Sequence, residues 1–240
     1  MNLFAHGLLR LPNLILFFTL AVLVNLGFVS ISYASPPEKT SVEAQTTQGN
    51  TVSSTSLIRD AEITILVMGD SISAGFGIDK NKGWVELIRQ RLNIEYPDQI
   101  FNIINASISG ETTTGGRYRL AAALKQHQPD LVIIELGGND GLRGTPIKHI
   151  QANLEAMTQQ ALASSAQVML LGMRIPPNYG ERYTGQFTTT YEQLAVKHET
   201  LLVPFFMEGL AGVAGMIQED GIHPTLKGQV PMMQNVWPAL

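Results

Sequence analysis

The sequence predicts an α/β fold in which helices cover both faces of a parallel, five-stranded sheet. Short and almost wholly apolar runs of strand-forming residues alternate along the chain with segments whose apolar residues recur at the 3.6-residue period of a helix. The apolar runs lack the in-and-out alternation of a half-exposed strand, which indicates that both of their faces are buried. Strands that alternate with helices in this way are typical of βαβ units joined into one parallel sheet.

The elements follow one another in a regular order from residue 62 onward. The first strand is EITILVM at 62–68, and the amphipathic segment GWVELIRQRLNIEYP at 83–97 predicts a helix that ends before Pro97. Four more strands are predicted at 100–107, 130–136, 167–173 and 200–205, and four more helices at 113–126, 146–165, 187–199 and 225–237, the last of them bent or capped around Pro231.

The amino-terminal segment predicts export. Arg10 is the only Lys, Arg, Asp or Glu before Glu38, and the residues between them are almost wholly apolar. Small residues at Ser32 and Ala34 suit a cleavage site, so residues 1–34 are interpreted as a signal peptide. The alternative is an uncleaved membrane anchor, because the apolar run approaches the ~20 residues that span a bilayer. We therefore expect a periplasmic or secreted protein, membrane-anchored if the leader is retained.

Residues 35–57 predict a disordered linker before a folded domain at 58–240. In the stretch 35–56, 16 of 22 residues are Ser, Thr, Pro, Gln, Asn or Gly, a composition that buries too little apolar surface to fold.

The composition excludes several classes of function. The chain has no cysteine, which rules out disulfides, thiolate metal sites and a cysteine nucleophile. Its net charge of −4, without runs of Lys or Arg, makes it a poor candidate for binding nucleic acid.

Four polar loops are expected to meet at one end of the sheet. In parallel sheets the reactive loops lie beyond the carboxyl ends of the strands. The loops are GDSIS at 69–73, ASISGETT at 106–113 and GGND at 137–140, after the first three strands, and EDGIHPT at 219–225, before the last helix.

Two of these loops hold candidates for nucleophilic catalysis. Ser71 lies where the first strand runs into a helix, so a tight turn could expose its hydroxyl; the alternative is that it only caps that helix. Asp220 precedes His223 by three residues, and in a turn its carboxylate can bind Nδ1–H and leave Nε2 free to accept the serine proton. The alternative for this pair is an exposed loop histidine beside a capping aspartate.

Three of the loops offer donors for an oxyanion. The candidates are the backbone N–H groups of Ser71 and Gly110 and the side-chain amide of Asn139. A glycine at 110 lets a peptide N–H approach a ligand without a Cβ in the way. Turns that contain Gly and Asn are common, so each donor alone is weak evidence.

Taken together, GDSIS, the Gly110 block, GGND and DGIHP resemble, in order and spacing, the four blocks of the SGNH (GDSL-like) hydrolase family. The segments INASISGETTTGGRYRL, ELGGNDGLRG and RIPPNYGERY are similar to the bacterial group of multifunctional thioesterase I, lysophospholipase and arylesterase enzymes. The resemblance implies a flavodoxin-like three-layer α/β/α sandwich and a triad of Ser71, His223 and Asp220. It also implies the oxyanion donors Ser71, Gly110 and Asn139, and neither a metal nor an organic cofactor.

The resemblance also suggests walls of a substrate site. The segment GLRGTP at 141–146, with Leu142 and Arg143, corresponds to a mobile loop that covers the acyl chain. The segment PPNYGERY at 176–183 holds Pro177 and Tyr179. Arg143 and Tyr179 could equally be exposed loop residues. Asp70, beside the nucleophile, is counted with this set without a defined role.

These observations predict an exported serine esterase that cleaves carboxylic esters and thioesters through an acyl-enzyme. An acetyl-ester (polysaccharide) deacetylase of the same fold is the alternative. The expected partner is a small acyl ester or a lysophospholipid, with membrane contact only through that substrate or an uncleaved leader, and the protein is expected to be a monomer. A phosphopantetheine carrier is disfavoured, because such carriers are short helical bundles and Ser71 follows a buried strand.

Overall fold

The sheet that positions the site has five parallel strands. A computed structural model describes residues 62–240. The predicted signal peptide, the predicted linker and residues 58–61 of the predicted domain lie outside the described residues. Within residues 62–240, no helix has both the length and the apolar character needed to cross a bilayer.

The strands run in the order β2-β1-β3-β4-β5, and every pair of neighbours is parallel. Six of the seven residues of β1 and all five of β3 are buried, so helices cover both faces of the sheet, as the uninterrupted apolar runs predicted. The strands are β1 Ile63–Gly69, β2 Phe101–Asn105, β3 Leu131–Glu135, β4 Gln167–Leu171 and β5 Leu201–Val203.

The α-helices form the outer layers. In the described part of the chain they are α1 Ser71–Ala74, α2 Trp84–Glu95, α3 Thr113–His127, α4 Gly138–Leu142, α5 Ile147–Ala163, α6 Glu181–His198 and α7 Gln229–Val236. Helices α2 and α7 pack together, and α3, α5 and α6 pack side by side, so the sheet lies between two helical layers. The predicted α/β fold with a five-stranded parallel sheet is confirmed.

Two helices begin elsewhere than predicted. Helix α6 starts at Glu181, six residues before the predicted start at 187, because Gly180 (φ 87°) ends the preceding Pro-rich turn and the apolar period begins only inside the helix. Helix α7 starts at Gln229, after a 3₁₀ turn at Leu226–Gly228. Pro231 thus lies in the first turn of α7, where a missing N–H costs no intrahelical bond.

The helices predicted from periodicity do not include α1 and α4, because both are too short and too polar to show a period; for α1 only a helix start near Ser71 was expected. Each is built from one of the functional loops. Asp70 caps α1 by accepting a hydrogen bond from Ile72 N at 2.9 Å. Helix α4 follows Gly137, whose φ of 118° suits only glycine, and the Tyr191 hydroxyl would lie 2.3 Å from any Cβ at that position.

Candidate active site

The candidate nucleophile sits in the crevice where the strand order reverses. In a 2-1-3-4-5 sheet this crevice lies between the carboxyl ends of β1 and β3. Ser71 is the first residue of α1, so its N–H has no acceptor within the helix. The residue that caps α1 is Asp70 and not Ser71, so the cap interpretation of Ser71 is wrong.

The structure brings His223 to Ser71. The imidazole Nε2 lies 2.8 Å from Ser71 Oγ, and Nδ1 lies 2.6 Å from Asp220 Oδ2. The ring of Phe76 packs against the His223 ring, with 4.4 Å between centroids. The three residues therefore form one continuous chain of hydrogen bonds.

Asp220 is held as a carboxylate by its own turn. Its Oδ1 accepts hydrogen bonds from Ile222 N at 2.9 Å and from His223 N at 3.0 Å. These hydrogen bonds lower the pKa of Asp220 to about 2. The bond from His223 N has the largest effect, followed by the bond from Ile222 N and then by the bond to the imidazole. An ionised Asp220 places the imidazole proton on Nδ1 and leaves Nε2 as the acceptor for the Ser71 hydroxyl.

Of the expected oxyanion donors, Asn139 lines the same cavity as Ser71, whereas Gly110 is not among the lining residues. Gly110 has a φ of 79°, and no atom lies within 4 Å of the position that a Cβ would take, so the space beside it is open. Asn139 Nδ2 lies 3.0 Å from Asp70 Oδ2 and 3.0 Å from Glu111 O. Both of its amide hydrogens therefore have acceptors, and donation to an oxyanion requires that one of them be released or shared.

Asp70 links the nucleophile to the oxyanion side. One carboxylate oxygen caps the helix of Ser71, and the other accepts the Asn139 amide. The side chain is almost wholly buried, and this burial raises the pKa of Asp70 to about 6, against the opposing effect of these hydrogen bonds. Asp70 therefore fixes where Ser71 and Asn139 lie relative to each other.

A cavity of about 660 Å³ opens beside Ser71 and His223. Its lining is mostly apolar. Among the described residues that line it, Arg174 is the one Lys or Arg, and its guanidinium lies over the Phe205 ring and 3.6 Å from Glu208. The apolar side chains that line it are Ile72, Leu142, Met173, Ile175, Pro176, Pro177, Phe205, Met207, Ala211, Ile217 and Ile222. The cavity can therefore hold an acyl chain next to the candidate nucleophile.

The residues suggested as substrate walls fall into two groups. Asp70, Leu142 and Pro177 line the cavity. Arg143 and Tyr179 do not line it, and each bonds a neighbouring loop: Tyr179 Oη donates to Leu142 O at 2.7 Å, and Arg143 Nη2 donates to Gly110 O at 3.3 Å. Tyr179 therefore supports the lining residue Leu142, whereas Arg143 ties its loop to the Gly110 loop.

Sequence reasoning missed Glu135 and, apart from Leu142 and Pro177, the apolar side chains that line the cavity. Glu135 is completely buried at the end of β3, beside the nucleophile turn. A glutamate inside an otherwise apolar strand is rarely buried without a partner, so Glu135 could have been singled out from the sequence. The other apolar lining residues come from α1 and from the loops that follow β4 and β5, and they had no local signal.

Residues 62–240 contain no group of three or more His, Asp or Glu side chains that could hold a metal ion. The expectation that the protein needs neither a metal nor an organic cofactor stays a prediction.

Comparisons with known proteins identify the family. Residues 67–230 match the GDSL-like lipase/acylhydrolase family. The esterase TesA of Pseudomonas aeruginosa is 52% identical over 177 residues, which cover 74% of this chain and 87% of that protein. The thioesterase 1/protease 1/lysophospholipase L1 of Escherichia coli is 40% identical over 166 residues, which cover 69% of this chain and 77% of that protein.

A solved structure shares the fold. The psychrotrophic esterase EstA from Pseudoalteromonas sp., in a crystal structure inhibited by monoethylphosphonate, superposes with a TM-score of 0.69 at 41% identity. The match covers 73% of this chain and 95% of that one.

Proposed function

The chain belongs to the GDSL-like lipase/acylhydrolase family and hydrolyses ester bonds, and we propose that it does so through an acyl-enzyme formed on Ser71. The observation that carries the proposal is the hydrogen-bonded chain from Asp220 through His223 to Ser71, at the mouth of an apolar cavity. These are the parts that acyl transfer to a serine needs: a nucleophile, a base and a group that orients the base.

In the first half-reaction Ser71 Oγ attacks the acyl carbonyl carbon and its proton passes to His223 Nε2. Asp220 stabilises the imidazolium that forms, because its carboxylate already accepts Nδ1–H. When the tetrahedral intermediate collapses, the imidazolium gives the proton to the leaving alkoxide or thiolate. Water then repeats the sequence on the acyl-enzyme and releases the carboxylic acid.

The oxyanion of each intermediate is bound by the N–H groups of Ser71 and Gly110 and by the Asn139 amide. Asn139 enters this role by exchanging an acceptor: the hydrogen that it donates to Glu111 O in the free enzyme turns to the oxyanion. Its bond to Asp70 stays and holds the amide in place. The charged oxyanion replaces the neutral Glu111 carbonyl as acceptor, so the hydrogen bond that Asn139 donates to the oxyanion in the transition state is stronger than its bond to Glu111 in the free enzyme.

The substrates proposed are fatty-acyl and aryl esters and thioesters. The apolar lining of the cavity and the names of the relatives, an esterase and a thioesterase/lysophospholipase, support this class. Because the leader predicts export to the periplasm or beyond, lysophospholipids and other envelope esters are better candidates than cytosolic acyl thioesters. The mostly apolar lining of the cavity disfavours the acetyl-ester alternative, because a polysaccharide presents many hydroxyl groups that need polar partners.

The proposal is tested with a fluorophosphonate probe, which reacts with activated serines. We expect labelling of the wild-type protein and none of Ser71→Ala, which should also lose hydrolysis of p-nitrophenyl hexanoate. Ser164→Ala is the matched control, because Ser164 is an exposed serine just beyond α5. Equal labelling of Ser71→Ala and the wild type would overturn the assignment of the nucleophile.

A further inference from the structure

Beneath the nucleophile turn lies a second buried acid that the proposed mechanism does not use. Glu135 is the last residue of β3 and pairs in register with Gly69 of β1, the residue before Asp70. Its side chain is 0% exposed. A glutamate in such a position needs a reason, because burying a carboxyl group costs free energy unless it is hydrogen-bonded.

One oxygen of Glu135 holds the turn that carries Ser71. Oε2 accepts hydrogen bonds from Asp70 N at 3.2 Å and from Ser73 Oγ at 2.7 Å. Ser73 Oγ in turn accepts the indole N–H of Trp84 at 3.2 Å. Glu135 thus grips the turn on both sides of Ser71 and ties it to α2.

The second oxygen of Glu135, Oε1, bears on the protonation state of this side chain. Oε1 is buried and has no hydrogen-bond partner among the described residues. No salt bridge within residues 62–240 involves Glu135 or Asp70. Two neighbouring buried carboxyl groups that pair with no cationic side chain strongly disfavour double ionisation, so one keeps its proton.

The proton belongs to Glu135. Each carboxyl group accepts two hydrogen bonds, but those of Asp70, from Ile72 and Asn139, reach both of its oxygens, whereas those of Glu135 both reach Oε2. His223 also favours the charged form of Asp70. Glu135 lacks any donor at Oε1; Asp70 and Tyr191 are the titratable groups that interact with it, and neither is a cation. Burial and then the charge of Asp70 raise the pKa of Glu135 well above its usual value, which agrees with the geometry.

We propose that Glu135 is a positioning residue: as a neutral carboxylic acid it anchors the turn that carries Ser71 and leaves the negative charge of the pair on Asp70, where that charge orients Asn139. The inference rests on the proposed roles of Ser71 and Asn139. It assigns to one buried side chain the alignment of the nucleophile with an oxyanion donor.

The test compares two substitutions at this position. Glu135→Gln keeps a neutral group with an acceptor oxygen for both bonds, so we expect kcat within about threefold of the wild type and an unchanged acid limb of the kcat/KM–pH profile. Glu135→Leu removes the acceptor, and we expect kcat to fall by about tenfold or more while KM changes by less than about twofold, since only alignment in the transition state is lost. Rescue by glutamine but not by leucine separates positioning from the mere filling of space.

Thr158→Val is the matched control for buried hydrogen bonding. Thr158 is fully buried in α5 and its hydroxyl donates to Leu154 O at 2.9 Å, within its own helix. It should lower stability without lowering kcat. A Glu135→Leu protein that folds and keeps wild-type kcat would overturn the inference, as would a loss of activity or a shifted acid limb in Glu135→Gln, which would mean that the ionised carboxylate is needed.

If Glu135→Leu does not fold, Glu135→Gln still decides through its pH profile. Failure of the proposed function itself has a different signature, because the wild-type protein would then not be labelled at Ser71.

Discussion

At the scale of single residues, Asp220 performs two tasks with its two oxygens. Oδ1 closes the turn by accepting two backbone N–H groups, and Oδ2 accepts the imidazole N–H. The turn depends on the first oxygen and the orientation of His223 on the second. The two tasks can therefore be separated by a substitution that keeps one acceptor.

Asp220→Asn is such a substitution. The amide oxygen can still close the turn, but the NH₂ group faces Nδ1 and favours the tautomer whose Nε2 carries the proton, so the base can no longer accept from Ser71. We expect kcat for p-nitrophenyl hexanoate to fall by about 10²–10⁴ with KM little changed.

Asp79→Asn is the matched control, because Asp79 accepts Asn81 N at 3.0 Å in an exposed turn without an imidazole. It should keep wild-type rates. An Asp220→Asn enzyme with a kcat within about threefold of the wild type would show that Asp220 does not set the tautomer.

Asp70 makes stability depend on pH. Its pKa in the folded protein, about 6, lies above the ordinary value of 3.8, so the folded state binds this proton more tightly than the unfolded chain. The corresponding stability is fully present below about pH 4 and is lost as the pH rises through about 6. Relative to Asp70→Asn, the wild-type protein should lose about 2 kcal/mol of unfolding free energy between pH 4 and pH 7.

Urea unfolding of both proteins at the two pH values measures this difference. Equal changes in the two proteins would show that Asp70 does not retain its proton on folding.

At the scale of elements, the junction between strand β1 and helix α1 is tightly packed. A Cβ on Gly69 would lie 2.7 Å from Glu135 Oε2, 2.7 Å from Ser73 Cβ and 2.8 Å from Ser107 Oγ. Gly69 is therefore needed for the close approach of the buried acid to the turn, although its backbone conformation is one that other residues adopt.

Gly69→Ala should destabilise the fold by about 1–3 kcal/mol, because the added methyl group overpacks this junction. Gly185 offers the opposite case, since it is exposed inside α6 and a Cβ there meets no atom within 4 Å. Gly185→Ala should therefore stabilise the fold by roughly 0.5–1 kcal/mol. Thermal unfolding followed by circular dichroism measures both changes, and shifts of the same sign would contradict this account.

The elements also show why some features were predictable from the sequence and others were not. Strands β1 and β3 were evident because burial on both faces leaves an unbroken apolar run. Helices α1 and α4 were not, because one turn of helix has no period and depends on the Asp70 cap and on the φ of Gly137. Local pattern predicts elements that bury a face, whereas elements that only aim a side chain depend on tertiary contacts.

At the scale of the whole molecule, the same division applies to the site. The positions of Ser71, Asn139 and His223 followed from the rule that loops after parallel strands meet at one edge. The cavity did not follow, because its lining comes from loops that lie far apart in the sequence. Nor could a sequence show that the Asn139 amide already has two acceptors in the free enzyme.

The cavity predicts how the rate depends on acyl length. Each methylene that enters it contributes about 0.8 kcal/mol, so kcat/KM for p-nitrophenyl esters should rise about fourfold per methylene from acetate until the cavity is filled. Met207→Trp should shorten the preferred chain, because Met207 lines the cavity.

Val196→Trp, on the exposed face of α6, is the control and should leave the series unchanged. Acetate hydrolysed as fast as hexanoate would favour the acetyl-ester alternative.

The reacting atoms belong to residues 152 positions apart, one near the start of the described chain and one near its end. His223 reaches Ser71 only when the segment after β5 has docked on the rest of the fold, through contacts such as Trp84 N to Gln229 Oε1 and Gln218 Nε2 to Phe76 O. A nascent or refolding chain that has assembled β1 to β4 therefore holds a nucleophile without a base. Catalytic turnover begins only when the segment that carries His223 has docked. The appearance of esterase activity therefore reports the last step of folding.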